Sequence, residues 1–468
     1  MTEPSQRVTI VGAGISGLAC AHRLGQLGIV ATVLESSNQA GGVINTDDHD
    51  GWLFESGPQS FTGSAPLLAL IRELGLSSEL QVSDPTAPRF IVRGKRLHKL
   101  PMSPPALLTS SFLGAGSRWQ IASEPLRRNR PPANEESVAA FVRRKFGSEI
   151  LEYLVSPFVS GVYAGDPEQL SLRAAFPQLE QWEREHGSVV RGAIKARSKG
   201  EAKNSRPQLC SFRGGVARLP RAMAENLGKN LRTGVSAALL SRSQTPDDTL
   251  FNLQTSGADR REVISSGAVV IATPAYTAAN LLGAMSPALS AALSSIAYAP
   301  VTVLAAGYKR TQVLDPLYGF GFLVPRKEQI RTLGTVWNSS LFPGRGPDGT
   351  VTMTSFIGGA TDLEIIQHSE QEISQIVQQD NSRLLGITGM PIATKIRKYP
   401  RALPQYNLGH GGVVDSIREA EHAIPGVFLA GNYLDGPSLG KCVENGFQVA
   451  EKVAAFLKGA SKSRRDLA

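Results

Sequence analysis

The chain has 468 residues, of which 41% are hydrophobic and 19% charged, and its 49 Lys and Arg exceed its 40 Asp and Glu by nine. Such a length outgrows a single core, so two or three structural units are expected in a globular chain. Three scattered cysteines, Cys20, Cys210 and Cys442, with no CxxC spacing, argue against a disulfide framework or a structural zinc site and make a reducing compartment the expected setting.

The first element is an apolar strand, Arg7 to Val11, followed by the turn Gly12-Ala13-Gly14-Ile15-Ser16-Gly17 and a helix running to about Leu27. In a dinucleotide-binding turn the first glycine permits the bend, the second admits a pyrophosphate, and the third lets helix and strand pack closely. The spacing predicts a second strand, Val30 to Leu34, and Glu35 directly after it is placed to accept both ribose hydroxyls of an adenosine. No secretory or transit pattern precedes the strand, which gives a cytoplasmic expectation.

From about residue 95 to 205 the pattern turns helical, proline-rich and basic. Between Arg93 and Lys145 there are 11 Lys or Arg against 3 Asp or Glu, and between Arg191 and Arg206 there are 6 against 1. Apolar residues such as Leu107, Leu108, Phe112 and Leu113 interleave with this charge. The combination suits either an anionic membrane surface or a solvated helical unit with a basic face. Nucleic acid is disfavoured, because no nucleic-acid fold signature accompanies the charge.

The stretch Val263 to Tyr308 carries no charged residue, but Pro274, Pro287 and Pro300 cut it into pieces too short to span a bilayer. It reads as a strand (Ala268 to Ala272), a loop, a helix and a further strand (Val301 to Gly307). Strands are expected at Phe320 to Val324, Arg331 to Trp337 and Val351 to Ile357, with a turn at Gly344 to Gly349. A helix-periodic segment, Asp362 to Leu385, comes next. Near the end, Val427 to Asn432 is again strand into glycine turn, and an amphipathic helix from about Lys441 to Leu457 leads to a frayed polar tail.

The expected class is therefore α/β, with a Rossmann-like nucleotide domain assembled from distant segments (1–84, 206–285 and 409–468). A mixed-sheet substrate domain takes 85–94 and 286–408, and the helical insertion takes 95–205. A second GxGxxG in a strand-helix setting is missing, which favours FAD over NAD at the single site, with electrons leaving to oxygen or another small acceptor. No His, Cys, Asp or Glu cluster has metal-ligand spacing.

Several further segments carry a resemblance: Phe54 to Phe61, Ala87-Pro88-Arg89-Phe90, Ser160 to Pro167, Ser211 to Gly215, Gly319 to Pro325, Leu333 to Thr335, Ser339 to Pro343, Pro404 to Tyr406 with Gly409-His410, and Ala430-Gly431-Asn432. In this order the chain resembles the protoporphyrinogen oxidase family, FAD enzymes of haem and chlorophyll synthesis. That family sits within the broader group of monoamine oxidases and carotenoid desaturases. The resemblance implies a six-electron oxidation of protoporphyrinogen IX to protoporphyrin IX by successive hydride transfers to FAD, with hydrogen peroxide as by-product. The alternatives are coproporphyrinogen III oxidation, or amine or polyene oxidation on the same fold. A flavin-free binding relative is disfavoured by Glu35 and the Gly431-Asn432 turn.

The resemblance also implies residue roles. Arg89 matches the substrate-carboxylate arginine, Val324, Val336 and Phe356 match apolar residues against the ring faces, and Gly161 matches a backbone position beside the reacting carbon. Cofactor contacts fall on Gly12, Gly14, Ser16, Gly17, Glu35, Gly41, Gly42 and Gly57, on Val235 beside the adenine, and on Thr273, Gly431, Asn432 and Ser438. His410 invites a general-base role, but hydride abstraction needs no such base, so a structural role is expected. One departure stands out: the group has an Arg two positions before its Gly-Gly pair, where this chain has Gln39. Implied partners are the porphyrinogen, molecular oxygen, the inner face of a cytoplasmic membrane in peripheral contact, and a second copy in a homodimer.

Overall fold

The computed structural model describes residues 4–101, 103–127, 132–198, 208–244, 249–257 and 261–465. Arg128, Arg130, Lys199, Lys203 and Arg206, which belong to the two basic windows, lie outside the described residues.

A five-stranded parallel sheet forms the nucleotide unit, in the order Leu231–Arg232, Ala31–Leu34, Val8–Val11, Ala268–Ile271, Val427–Leu429. Its central strands are almost uniformly apolar because both faces are covered, one by helices and the other by helices together with the three-stranded antiparallel sheet Ser236–Gln244, Thr249–Ser256, Arg261–Ser266. The helix Ile15–Gln26 lies over one face and is crossed by the long helix Leu439–Arg465. Leu18, Leu24, Val443, Val453 and Leu457 share that core with Val8, Ile10 and Val270. Each such side chain contributes about 1.5–3 kcal/mol on burial. The three segments of this sheet that lie hundreds of residues apart therefore depend on one another.

A seven-stranded sheet forms the second unit, in the order Ala393–Pro404, Tyr298–Lys309, Thr350–Gly358, Thr332–Val336, Gly321–Leu323, Arg89–Arg93, Arg96–Lys99. All its pairs are antiparallel except Gly321–Leu323 with Arg89–Arg93. The helix Glu370–Leu385, started by a Ser369–Glu372 capping box, covers one face. Short helices between Pro104 and Ser198 form the third unit around Phe112, Phe141, Leu151 and Tyr406. Among the described residues no helix is long and apolar enough to cross a membrane.

The structure differs from the sequence expectations in three places. The uncharged stretch holds two helices, Ala275–Leu282 and Pro287–Ser294, rather than a loop and one helix. Pro274 and Pro287 sit at the cap and in the first turn, where proline starts a helix instead of breaking it. The segment 362–385 is a 3₁₀ turn, Leu363–Gln367, followed by the helix, because Ser369 caps a fresh start. The last helix continues to Arg465, eight residues past Leu457.

Candidate active site

Four of the expected cofactor residues follow the C-terminal end of a parallel strand: Gly12 after Val8–Val11, Glu35 after Ala31–Leu34, Thr273 after Ala268–Ile271, and Gly431 after Val427–Leu429. Ligands bind beyond these ends, where helix N-termini converge. Gly12 turns with φ +103°, and a Cβ there would lie 2.8 Å from the Ala272 carbonyl oxygen, so only glycine fits. At Gly17 a Cβ would run into the Gly12 carbonyl, which is why the helix can sit so close to the strand.

Gly14 caps the helix without a side-chain hydrogen bond, and nothing lies within 4 Å of where its Cβ would be. The uncapped first-turn amides therefore face open space, an arrangement that accepts phosphate. The Gly41 amide donates to the Ala13 carbonyl at 2.8 Å, and Gly42 approaches Gly14 closely, so two glycine turns line one slot. Glu35 is held at its mouth: one carboxylate oxygen accepts from the Ala13 amide at 2.9 Å, and the other accepts from the Ser37 amide at 2.9 Å and the Ser37 hydroxyl at 2.8 Å. The Val235 amide donates to the Glu35 carbonyl at 2.9 Å, which puts Val235 beside that carboxylate. Gln39 is exposed and shares with Ala40, Asn45 and Arg221 the rim of a cavity of about 220 Å³.

At the other end of the slot, Gly57 abuts the Val43 carbonyl, and its own carbonyl accepts from the Gln59 side chain at 2.8 Å. The Gly431 amide donates to Asn445 Oδ1 at 3.0 Å, the Asn432 carbonyl accepts from the Tyr406 hydroxyl, and Ser438 receives the Lys441 amide at 3.3 Å as the last helix begins. Buried Ser16 lies on the first helix beside Cys442. The Thr273 hydroxyl is buried with no hydrogen-bond partner, and its methyl lies against Gly12. An orphaned hydroxyl, open amides at a helix N-terminus and a pinned carboxylate together fit the polar groups of FAD.

Strand register decides what lines the face of the broad sheet. Gly321 pairs with Val336 and Leu323 with Gly334, Gly334 pairs in turn with Phe356 and Val336 with Thr354, and Arg89 lies beside Gly321 with Ile91 beside Leu323. Directly paired residues share a face, so Arg89, Leu323, Val336 and Phe356 point the same way. Phe322 and Val324 point the other way. Val324, 2% exposed, is packed with Phe322 and Trp337 in the core under the Glu370–Leu385 helix. The expectation that Val324 lines a substrate face therefore does not match its position, and Leu323 occupies that face instead. The run Phe322-Leu323-Val324 is apolar throughout, so it carries no alternation from which the parity could be read.

Opposite Leu323 stands Gly161 on the helix Ser156–Tyr163, where a Cβ would come within 2.6 Å of Leu323 Cδ2. The sheet joins the nucleotide unit through a chain of hydrogen bonds: Thr354 to Asn338 at 2.9 Å, Asn338 to Gln59 at 2.7 Å, and Gln59 to Gly57. The Tyr399 hydroxyl also donates to the Ser56 carbonyl, at 3.0 Å. From the Phe356 strand to the Arg89 strand is three inter-strand steps, about 14 Å, the span of a large flat ligand.

At the far end the Arg89 guanidinium lies over the Phe320 ring, 5.2 Å from its centroid, and among the described residues it forms no ion pair. Burial of the guanidinium pulls its pKa down, with no neighbouring charge to offset it. His410 is buried edge-on against Tyr406, and burial lowers its pKa, so it is neutral and packed. No group of three or more His, Cys, Asp or Glu able to hold a metal occurs among the described residues.

Comparison with known proteins gives the family and the fold. The profile of the family described as flavin containing amine oxidoreductase matches residues 15–454. The chloroplastic protoporphyrinogen oxidase of Nicotiana tabacum is 36% identical over 96% of this chain and 85% of its own length. Coproporphyrinogen III oxidase of Bacillus subtilis (strain 168) is 27% identical over 98% of this chain and 100% of its own. A crystal structure from Exiguobacterium sp. 255-15 shares the fold with a TM-score of 0.81, covering 97% of this chain and 99% of that one at 24% identity. The chain thus belongs to the flavin containing amine oxidoreductases, as an FAD-dependent oxidoreductase similar to the protoporphyrinogen oxidases.

Proposed function

We propose that the chain oxidises protoporphyrinogen IX to protoporphyrin IX, with molecular oxygen as final acceptor and hydrogen peroxide as by-product. Six electrons and six hydrogens leave the macrocycle, two of each at a time, and each pair reduces one oxygen to one peroxide. FAD, when bound, supplies the two-electron acceptor for each hydride.

The observation that carries this reading is a half-buried Arg89, stacked on Phe320 and without an ion pair among the described residues, at the end of an apolar face leading to Gly57 and Gln59. A planar guanidinium takes a carboxylate in bidentate fashion. Leu323, Val336 and Phe356 exclude water from one side of a tetrapyrrole, and Gly161 leaves its bridging carbon unobstructed. The remaining cofactor residues, Gly12, Gly14, Ser16, Gly17, Glu35, Gly41, Gly42, Val235, Thr273, Gly431, Asn432 and Ser438, hold the dinucleotide along the strand ends. An amine substrate is disfavoured, since a cation at the rim would repel it. Coproporphyrinogen III, with two more carboxylates, is the second reading; it draws on the relative named for that substrate. Mixing the oxidised holoenzyme with protoporphyrinogen without oxygen should bleach the flavin absorbance in a saturable way, and an unchanged spectrum rejects the proposal.

We also infer peripheral contact with an anionic membrane. Leu108, Trp119, Leu126, Phe158, Val162 and Ile194 are exposed large apolar residues of the helical unit, and Arg191, Lys195 and Arg197 are exposed beside Ile194. Such a surface partitions into headgroups and is drawn to anionic lipid. Co-sedimentation with phosphatidylserine vesicles that falls as salt rises supports it, and indifference to lipid charge rejects it.

A further inference from the structure

Glu55 ends the strand Trp52–Glu55, immediately before the segment that borders the flavin end of the slot, and its side chain is 3% exposed. One carboxylate oxygen accepts the Thr46 hydroxyl at 2.6 Å, and the other accepts the Val216 amide at 2.8 Å. Arg345 Nη1 lies 3.6 Å away. Arg345 itself is 2% exposed and comes from the loop between Phe342 and Thr350, which belongs to the broad sheet. Its Nη2 donates to the Ser211 hydroxyl at 2.8 Å, the Phe212 carbonyl at 3.1 Å and the Gln81 side chain at 3.3 Å, while the Leu53 amide donates to its carbonyl at 3.2 Å. Nη1 has no hydrogen-bond partner, so Glu55 is the anion facing a buried cation. The Trp52 ring packs against Gly346, next to the pair.

We propose that Glu55 and Arg345 are a positioning pair that fastens the loop of the broad sheet to the Ser56–Gln59 segment, so that the charge on Glu55 sets how firmly the substrate face is held against the flavin. With Glu55 ionised, the guanidinium is held between its three neutral acceptors and one carboxylate. A proton on Glu55 leaves those acceptors in place but removes the anion that faces Nη1, and with it the charge attraction between the loop and the end of the Trp52–Glu55 strand. Burial raises the Glu55 pKa from 4.5 to about 7, so the two states exchange near neutrality. The other charged groups around it are engaged or distant: Arg221 on the helix Arg218–Leu227 donates to the Thr46 carbonyl, Asp47 is held by Lys395 and Ser56, and Glu79 is held by Arg218. Cys210 on the neighbouring strand is a thiol whose pKa burial raises further.

Linkage gives the sign. The folded chain holds this proton more tightly than the unfolded one, so the contribution of Glu55 to stability declines as pH rises from 4.5 to about 7.

The test is a pH titration of the flavin-loaded protein, followed by visible absorbance and by tryptophan emission. Wild type should show a transition with its midpoint near 7 in both signals. Glu55→Gln should retain flavin and lose the transition. Thr46→Val, which removes a bond to the ionised form while keeping the shape, should move the midpoint up by about one unit. A Glu55→Gln protein that titrates like wild type overturns the proposal, as does a wild type with no transition. If Glu55→Gln does not fold, an unmoved midpoint in Thr46→Val overturns it as well.

Discussion

The two ends of the site are built on different principles. At the parallel sheet the proposed cofactor contacts fall largely on backbone: the turns at Gly12 and Gly41 admit no Cβ, which would come within 2.8 Å of a carbonyl oxygen, and the space beside Gly14 is open. At the broad sheet the proposed substrate contacts are side chains, and which of them line the face is a question of strand parity. Backbone sites survive in sequence as contiguous glycine motifs, whereas side-chain sites depend on register with strands far away in the chain. The first kind is therefore robust to reading errors, and the second is sensitive to a slip of one residue.

The sharpest way to break this contrast is at Gly12. Gly12→Val meets both a left-handed φ and the Ala272 carbonyl, and strain of about 1–3 kcal/mol or more should leave the purified protein colourless. Retention of one flavin per chain would show that the turn is not the cofactor site. Next in size is Arg89→Ala, which should raise KM for the porphyrinogen about 10- to 100-fold, the worth of a charged hydrogen-bonded contact, with the flavin spectrum unchanged. A matching loss of flavin would place Arg89 in the wrong end.

Gly161→Ala should lower kcat/KM about tenfold by crowding Leu323, and the loss should shrink in a Leu323→Ala background because the two positions share one gap. Additive effects would separate them. The parity argument itself rests on a pair of neighbours: Leu323→Ala should change KM with little change in Tm, whereas Val324→Ala should cost about 1–3 kcal/mol of stability and leave KM alone. The reverse pattern would restore Val324 to the face. The smallest effect is at Asp362, whose carboxyl the Arg331 side chain holds below its ordinary 3.8. Its contribution is complete above that value and lost as pH falls, so Asp362→Asn should flatten the acid limb of a Tm-against-pH curve.

Much of the parallel-sheet framework was legible because Gly12, Glu35, Thr273 and Gly431 each lie within two positions of a strand end. Gly12 to Glu35 reads as one local unit, and Val427 to Asn432 as another. The register of the broad sheet was not legible. Nothing in Phe322-Leu323-Val324 marks which side faces Gly161, since helices cover both faces and the residues alternate in position without alternating in polarity. The Glu55–Arg345 contact was invisible for another reason: it joins residues 290 positions apart and is isolated in the sequence from any motif that names its partner. The hydrogen-bonded link from Thr354 through Asn338 to Gln59 escaped in the same way.

The most direct test of the whole arrangement is a side-by-side rate comparison of the flavin-loaded protein with protoporphyrinogen IX and coproporphyrinogen III in air, reading porphyrin fluorescence and peroxide together. A single guanidinium at the end of an apolar face should favour the dicarboxylate, with three peroxides released per porphyrin. Porphyrin formation no faster than the spontaneous background with both substrates would contradict the account.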